Sequence, residues 1–316
     1  MKTFESYTNF WQFFDRKIAT LEDESRWGTA SNYGKAERSF KRYCANDNLT
    51  LSDITPELIE GFNRNLNERG LIRNSISQYN RVLRAVYNEA VRLEIVTDNR
   101  PFRNVYTGTD KTVKRALPED EMAKIAAIRT RSKSLQMTRD IFLFSYTTCG
   151  MPFVDIAFLK KSDIVGNTII YYRRKTGSKI QLDLEPITQQ IIQKYSIQTI
   201  GCPYVFPILG NLTGEEAYKR FFSALTNYNR SLKKLSQVAG IKNISSYVPR
   251  HSWATAARNN GADISTVSEA LGHQSERTTR IYLATFDRKK IEMVNKQLVD
   301  HLNIYDDVSS SGTSKQ

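Results

Sequence analysis

Apolar and polar positions along the first hundred or so residues follow a helical period. Phe4, Tyr7, Phe10, Trp11, Phe14 and Ile18 recur at three- and four-residue intervals between 3 and 21, which predicts an amphipathic helix with an inward aromatic stripe. A second helix fits 29–45, burying Tyr33, Phe40 and Tyr43 and exposing Lys35, Arg38, Lys41 and Arg42. Thr55-Pro56-Glu57 signals a third start, with a capping side chain, a proline in the first turn and an early acid. Gly70 is the expected end of that helix, because a left-handed closing residue costs glycine no Cβ clash. From Ser75 to about Leu93, the set Ile76, Tyr79, Leu83, Val86, Tyr87 and Ala90 lines one side of a fourth helix, with Arg81, Arg84 and Arg92 around it. Together these predict a small all-α domain over 1–100.

The period then breaks. Residues 101–116 hold proline, glycine and basic residues, including Lys114 and Arg115, with little apolar repetition, and are expected to form a linker. Leu117-Pro118-Glu119-Asp120-Glu121 opens a second domain expected over 117–304, and a helix near 133–148 buries Ile141, Phe142 and Phe144. The β-branched and aromatic run 167–173 is answered by 179–184 across Thr176-Gly177-Ser178, which predicts a β-hairpin. Side chains two apart on a strand share a face, so Arg173 and Lys175 are expected to project together. Helices follow at 187–195 and 215–238, with Phe221, Phe222, Leu225 and Leu232 assigned to the core. A basic amphipathic helix fits 286–302 through Ile291, Val294 and Leu298. The Ser-rich end, 305–316, carries no apolar period and is expected to be a disordered tail.

Composition narrows the class. A length of 316 residues favours two domains, and a formal charge of +13 makes a polyanion a natural partner, with salt-dependent association. The start MKTFESYTNFWQFFDRK lacks the apolar core of a signal peptide, and no run of about eighteen apolar residues is present to cross a bilayer. Cys44, Cys149 and Cys202 are odd in number, widely separated and without metal-ligand spacing, which reads as reduced thiols in a cytosolic protein. There is no GxxxxGK[ST] loop and no paired-carboxylate metal motif.

The candidate chemistry lies in 247–282, YVPRHSWATAARNNGADISTVSEALGHQSERTTRIY. Arg250 offers a planar two-pronged donor for a phosphodiester, His273 a hydrogen-bonding imidazole after a Leu-Gly turn, and Tyr282 a phenol able to attack phosphorus and hold it as an ester. The run Arg250-His251-Ser252-Trp253-Ala254-Thr255 resembles the RHxxAT box of the tyrosine recombinase (phage integrase) family. Leu271-Gly272-His273 resembles its LGH box, and Thr278-Thr279-Arg280-Ile281-Tyr282 its nucleophile segment. Thr148-Cys149-Gly150-Met151-Pro152-Phe153-Val154-Asp155 resembles the TGLRxxE box, but Pro152 stands where the family has its first phosphate-clamping arginine. A family branch found in mobile elements and phase-variation systems often lacks that arginine.

The resemblance implies a predominantly α, α+β chain: a four-helix SAM-like core-binding domain ahead of a mixed helical catalytic domain with a small β-hairpin or sheet. It implies that Tyr282 attacks one strand to give a 3′-phosphotyrosine and a free 5′-hydroxyl, with Lys175 as general acid and Arg250 and His273 on the phosphate. Arg173 is expected to substitute for the missing arginine. Tyr247, where the family usually has histidine, is a poor base at neutral pH and is expected to hold a nonbridging oxygen or to be a packed aromatic. Asp155 is expected to orient a neighbouring cation and His251 to be structural. Lys41, Arg42, Arg81, Arg84, Lys114, Arg115 and Arg174 are candidate backbone contacts, and a basic linker would lie along the duplex. No cofactor or metal is implied, since the phosphodiester count is conserved. The expected partners are double-stranded DNA at specific sites, a homotetramer in synapsis from a free monomer or weak dimer, and accessory DNA-bending proteins. The expected location is the cytoplasm, at the nucleoid. Two rivals share parts of this pattern: a type IB topoisomerase-like nicking and resealing enzyme, and a catalytically inactive DNA-binding protein.

Overall fold

A computed structural model describes residues 9–110, 112, 115–242, 244–275 and 279. The chain divides into two compact units, 1–113 with 212–222, and 114–211 with 223–316. Among the described residues the protein is mostly helical, with one three-stranded sheet. No described helix is long and apolar enough to cross a membrane.

The first unit is built from α1 (Phe10–Asp23), α2 (Trp27–Cys44), α3 (Pro56–Glu68) and α4 (Arg73–Arg92). Asn9 caps α1 by accepting from the amides of Trp11 and Gln12, and Thr55 caps α3 through Leu58 N with Pro56 in the first turn. Gly70, at φ +74°, donates to Asn67 O and closes α3 in the expected left-handed conformation. The aromatic stripe forms the core. Phe40 lies 4.9 Å from Phe62 and 5.8 Å from Phe10, both edge-on, and all three are at most 1% exposed. Tyr33 and Tyr43 are only half-buried against this core, and Phe4 and Tyr7 lie outside the described residues.

The region expected to be a linker is not free over its first ten residues. Phe102 is buried in the core of this unit, and 104–110 lies along α4. Asn80, fully buried, pairs with Asn63 and donates to Tyr106 O, Ser77 donates to Gly108 O, and the Arg73 guanidinium sits 3.8 Å above the Tyr106 ring. Phe102, Val105 and Tyr106 stand among proline, glycine and polar residues and are too few to read as a period. Phe102 is the buried anchor, and the side chains of Asn74, Ser77 and Asn80 on α4 satisfy backbone carbonyls of the strap.

The second unit contains α5 (Glu119–Ala127), α6 (Lys133–Thr147), α7 (Phe153–Phe158), β1 (Ile164–Val165), β2 (Thr168–Tyr172), β3 (Lys179–Asp183) and α8 (Pro186–Tyr195). It continues with most of α9 (Gly214–Ala239), then α10 (Val248–Asn259) and α11 (Ile264–Ala270). The strands run in the order β1-β2-β3, all antiparallel, with Ile169 opposite Leu182 and Tyr171 opposite Ile180. Ile169, Tyr171 and Ile180 point into the core, while Tyr172 is exposed. Phe144 meets Phe206 edge-on at 4.8 Å, and Phe153 stacks on Tyr228 at 4.4 Å. Helix α10 packs on α6 and α11, and Ser252 ties its first turns to the start of the unit by accepting from Leu117 N at 2.8 Å. The helix at 286–302 and the tail at 305–316 lie outside the described residues.

Candidate active site

Two glycines in left-handed backbone set the geometry. After α6 the chain turns through Cys149 (φ +55°) and Gly150 (φ +75°), and a Cβ on Gly150 would lie 2.7 Å from Arg250 Cα. The missing side chain therefore lets α10 approach the turn directly. Gly272 (φ +61°) does the same after α11, where a Cβ would meet Arg173 Cδ at 2.6 Å and Ile180 Cδ1 at 2.7 Å. Each glycine makes room for one arginine stem.

Those two arginines converge. Arg250, 2% exposed in the first turn of α10, donates from Nη1 to Gly150 O at 2.9 Å and from Nη2 to Leu271 O. Arg173, 5% exposed just beyond β2, donates from Nη1 to Leu271 O at 3.0 Å and to Gly272 O at 2.9 Å. One peptide oxygen thus accepts from both guanidiniums. Carbonyl oxygens are neutral acceptors: they orient the donors and leave the positive charge of the two buried guanidiniums in place. Asp155, on α7, stands behind Arg173 at 3.8 Å from Nε and accepts from Arg174 N at 3.0 Å. Burial lifts its carboxyl above the usual range, against the pull of the Arg174 amide and the charges of Arg173, Arg250 and Arg174.

His273 completes the cluster. Its Nε2 lies 3.1 Å from Arg250 Nη2, and its Nδ1 lies 2.8 Å from the hydroxyl of Thr279, which is fully buried. Burial, then the charges of Arg250, Arg173 and Lys175, push the imidazole down to about 4. The ring is therefore neutral at pH 7. A guanidinium has no lone pair, so Nε2 must accept and the single ring proton must sit on Nδ1, donating to Thr279.

Arg173 and Lys175 do not share a strand face. Strand β2 ends at Tyr172 and 174–176 form the turn, closed by Gly177 N on Arg173 O at 2.8 Å and Arg173 N on Ser178 O at 2.9 Å. The two-residue period stops with the strand, so Arg173 turns inward and Lys175 is exposed, yet near enough for its charge to act on His273. Arg174 is exposed and lies over the Phe158 ring at 4.0 Å. Pro152 is buried and precedes the first turn of α7. Tyr247 is exposed at the start of α10, its ring 6.1 Å from that of His251. In the first unit Lys41 pairs with Asp47 at 3.1 Å and leans on Trp11, and Arg42 is exposed. Arg81 donates to Gln78 at 2.8 Å and Arg84 to Thr107 at 2.9 Å. Arg115 is exposed, while Lys114 and Tyr282 lie outside the described residues. The sequence reading missed the carbonyls of Leu271 and Gly150 and the hydroxyl of Thr279. A glycine placed just before a candidate histidine was the available signal for one of them.

The same segments match known families. Residues 9–106 fit the model of the phage integrase SAM-like domain, and residues 115–289 fit that of the phage integrase family. The chain belongs to the phage integrase family. Curated tyrosine recombinases resemble it along most of their length. XerC of Pediococcus pentosaceus is 30% identical over 309 residues, covering 89% of this chain and 95% of the relative. XerC of Bacillus licheniformis is 25% identical over 288 residues, covering 87% and 91%. Two solved structures share the fold. A lambda integrase dimer bound to a COC′ core site has a TM-score of 0.63 at 19% identity, covering 86% of this chain and 76% of that one. The Tn1549 transposon integrase with a circular-intermediate DNA has a TM-score of 0.62 at 17% identity, covering 91% and 99%. The chain is a tyrosine-type site-specific recombinase of mostly helical architecture, with a SAM-like domain ahead of the catalytic domain.

Proposed function

We propose that this recombinase cleaves one strand of a specific DNA site by attack of Tyr282 on phosphorus, with Arg173 standing in for the arginine that Pro152 displaces. Arg250 and Arg173 take the nonbridging oxygens, and His273 donates a third hydrogen bond. Lys175, exposed at the hairpin turn, protonates the leaving 5′-oxygen. The P–O5′ bond breaks as the P–Oη bond forms, so the released 5′-hydroxyl can attack the equivalent phosphotyrosine of a partner strand, and no nucleotide is hydrolysed. Asp155 positions Arg173 and the Arg174 amide, and His251 acts by packing. Tyr247, at the lip, holds a phosphate oxygen through its hydroxyl. The observation that carries the reading is the convergence of two buried guanidiniums and His273 Nε2 on the Leu271 turn. Catalytic function then needs paired DNA sites and four protomers in synapsis, assembled from a free monomer or weak dimer in the cytoplasm. The neighbouring solved structures include a lambda integrase tetramer bound to a Holliday junction.

The test is a suicide duplex carrying the recombination site, in which a nick lets the 5′ fragment diffuse away and traps the covalent complex. The native chain should give a denaturation-resistant adduct, and Tyr282→Phe should give none. Arg173→Ala should lose adduct formation while retaining duplex binding; unchanged cleavage would remove Arg173 from the phosphate site.

A further inference from the structure

Thr279 is fully buried, and among the described residues its hydroxyl is hydrogen-bonded to His273 Nδ1, the ring nitrogen facing away from the guanidiniums. Two requirements meet on this imidazole. In the present structure Nε2 faces a guanidinium N–H and must accept. A phosphate oxygen carries no proton to give, so once phosphate occupies the cluster Nε2 must donate. Protonating the whole ring would meet the second requirement, but the charges of Arg250, Arg173 and Lys175 all oppose it. Phosphate would offset part of that opposition, while the two arginines and the lysine remain.

We infer that Thr279 is a positioning residue whose hydroxyl lets His273 exchange one neutral tautomer for the other as phosphate enters. In the geometry described, Nδ1–H donates to Thr279 Oγ and Nε2 accepts from Arg250. With phosphate bound, Nε2–H donates to phosphate and the threonine O–H turns round to donate to Nδ1. One proton leaves Nδ1 to solvent and one is taken up at Nε2, so the ring stays neutral and no charge is added to a cationic pocket. A hydroxyl is the smallest side-chain group that can both accept and donate at one position. The residue also lies three positions before Tyr282. The hydrogen bond therefore links the segment carrying the nucleophile to the state of the phosphate cluster.

This inference rests on the reading of His273 as a phosphate ligand, and its test can fail separately from that of Tyr282. The full chain contains three histidines, so nitrogen-15 labelling of histidine gives a spectrum in which His273 is assigned by one substitution, His273→Gln. Titration with dimethyl phosphate, a diester that like the DNA backbone carries no proton at pH 7.5, should convert His273 from the Nδ1–H to the Nε2–H pattern. Thr279→Ser should keep the change. Thr279→Val should suppress it and slow adduct formation on the suicide duplex about tenfold, the effect of stranding one buried hydrogen-bonding group. A ring that keeps the Nδ1–H pattern throughout the titration, or that becomes protonated on both nitrogens, overturns the inference. So does a folded Thr279→Val chain that behaves as the native one does. Should Thr279→Val fail to fold, the native titration decides alone. An adduct persisting in Tyr282→Phe overturns the nucleophile assignment and leaves the tautomer result standing.

Discussion

Arg250 and Arg84 each donate from Nη1 to an uncharged oxygen at 2.9 Å, Arg250 to Gly150 O and Arg84 to Thr107 Oγ1. The contacts are alike and the surroundings are not. Arg250 is 2% exposed and shares a carbonyl with a second buried guanidinium, whereas Arg84 is half-buried on a helix of the first unit and keeps contact with water. Charge in a low-dielectric pocket interacts strongly with an incoming anion and gains little from the neutral oxygens that orient it. Charge at a surface is already solvated, and salt screens it. Hydrogen-bond length therefore does not separate a buried, unscreened guanidinium from a solvated one; the dielectric around it does.

The largest way to break this contrast is at Arg250. Removing one preorganised donor from a developing phosphorane typically costs a factor of 10²–10³, and Arg250 offers two, so Arg250→Ala should slow adduct formation by at least about 10³. Arg250→Lys should not restore the rate, because an ammonium cannot reach both Gly150 O and Leu271 O in one plane. Duplex binding at low salt should change little in either variant. A lysine variant at near-native rate would mean that charge alone matters and that the carbonyl cradle does not.

Next in size is the cradle itself. Gly70 and Gly150 have nearly the same φ, +74° and +75°, but a Cβ on Gly70 meets open space and one on Gly150 meets the Arg250 backbone at 2.7 Å. Gly70→Ala should cost about 1–2 kcal/mol for left-handed backbone, and Gly150→Ala roughly 2–5 kcal/mol because overpacking adds to it. Urea denaturation of the two variants measures the difference. Equal costs would show that α10 does not depend on the close approach at the turn.

These two regions also differ in how far the sequence foretold them. The N-terminal unit was legible because its determinants are residue types at helical spacing: the aromatic core, Thr55 and Pro56 at a helix start, Gly70 at its end. The strap at 104–110 was not, since Phe102, Val105 and Tyr106 are too few to make a period and the backbone is held by side chain-to-carbonyl bonds from Asn74, Ser77 and Asn80. In the second unit Arg250, Arg173 and His273 could be picked by chemistry and motif, and the fold brings them together. What joins them is a backbone carbonyl, and every residue has one, so no letter of the sequence marks Leu271 as the hub. The turn of Arg173 away from Lys175 was illegible for a related reason: a strand period predicts faces only while the strand lasts, and β2 ends one residue early.

Titration sharpens the contrast further. The folded His273 imidazole is pushed down to about 4 from an ordinary 6.5, so the unfolded chain binds a proton at a higher pH than the native one does. Its contribution to stability is complete above pH 6.5 and is lost progressively as the pH falls from 6.5 towards 4. Urea midpoints of the native chain should therefore drop over that window more steeply than those of His273→Gln, and the two curves should run parallel above pH 7. Parallel curves throughout would mean that the ring is not held among the three cations.

The smallest effect is expected at the surface. Arg84→Ala removes one solvated cation from α4, and Arg81→Ala another. If these side chains grip phosphates, each substitution should lower the slope of log affinity against log salt by about 1, uniformly across duplex sequences, because each contact releases about one counterion. The rate of adduct formation at saturating enzyme should stay at the native value, since neither residue is required at the reacting phosphorus. Arg84 has a further constraint that Arg81 lacks: its hydrogen bond to Thr107 holds the strap, so its loss should also loosen 104–110. Thr107→Val separates the two effects, because it frees the guanidinium without removing its charge. An affinity loss in Thr107→Val that matches Arg84→Ala would assign Arg84 to holding the strap. A native affinity there would leave the arginine free to meet DNA directly.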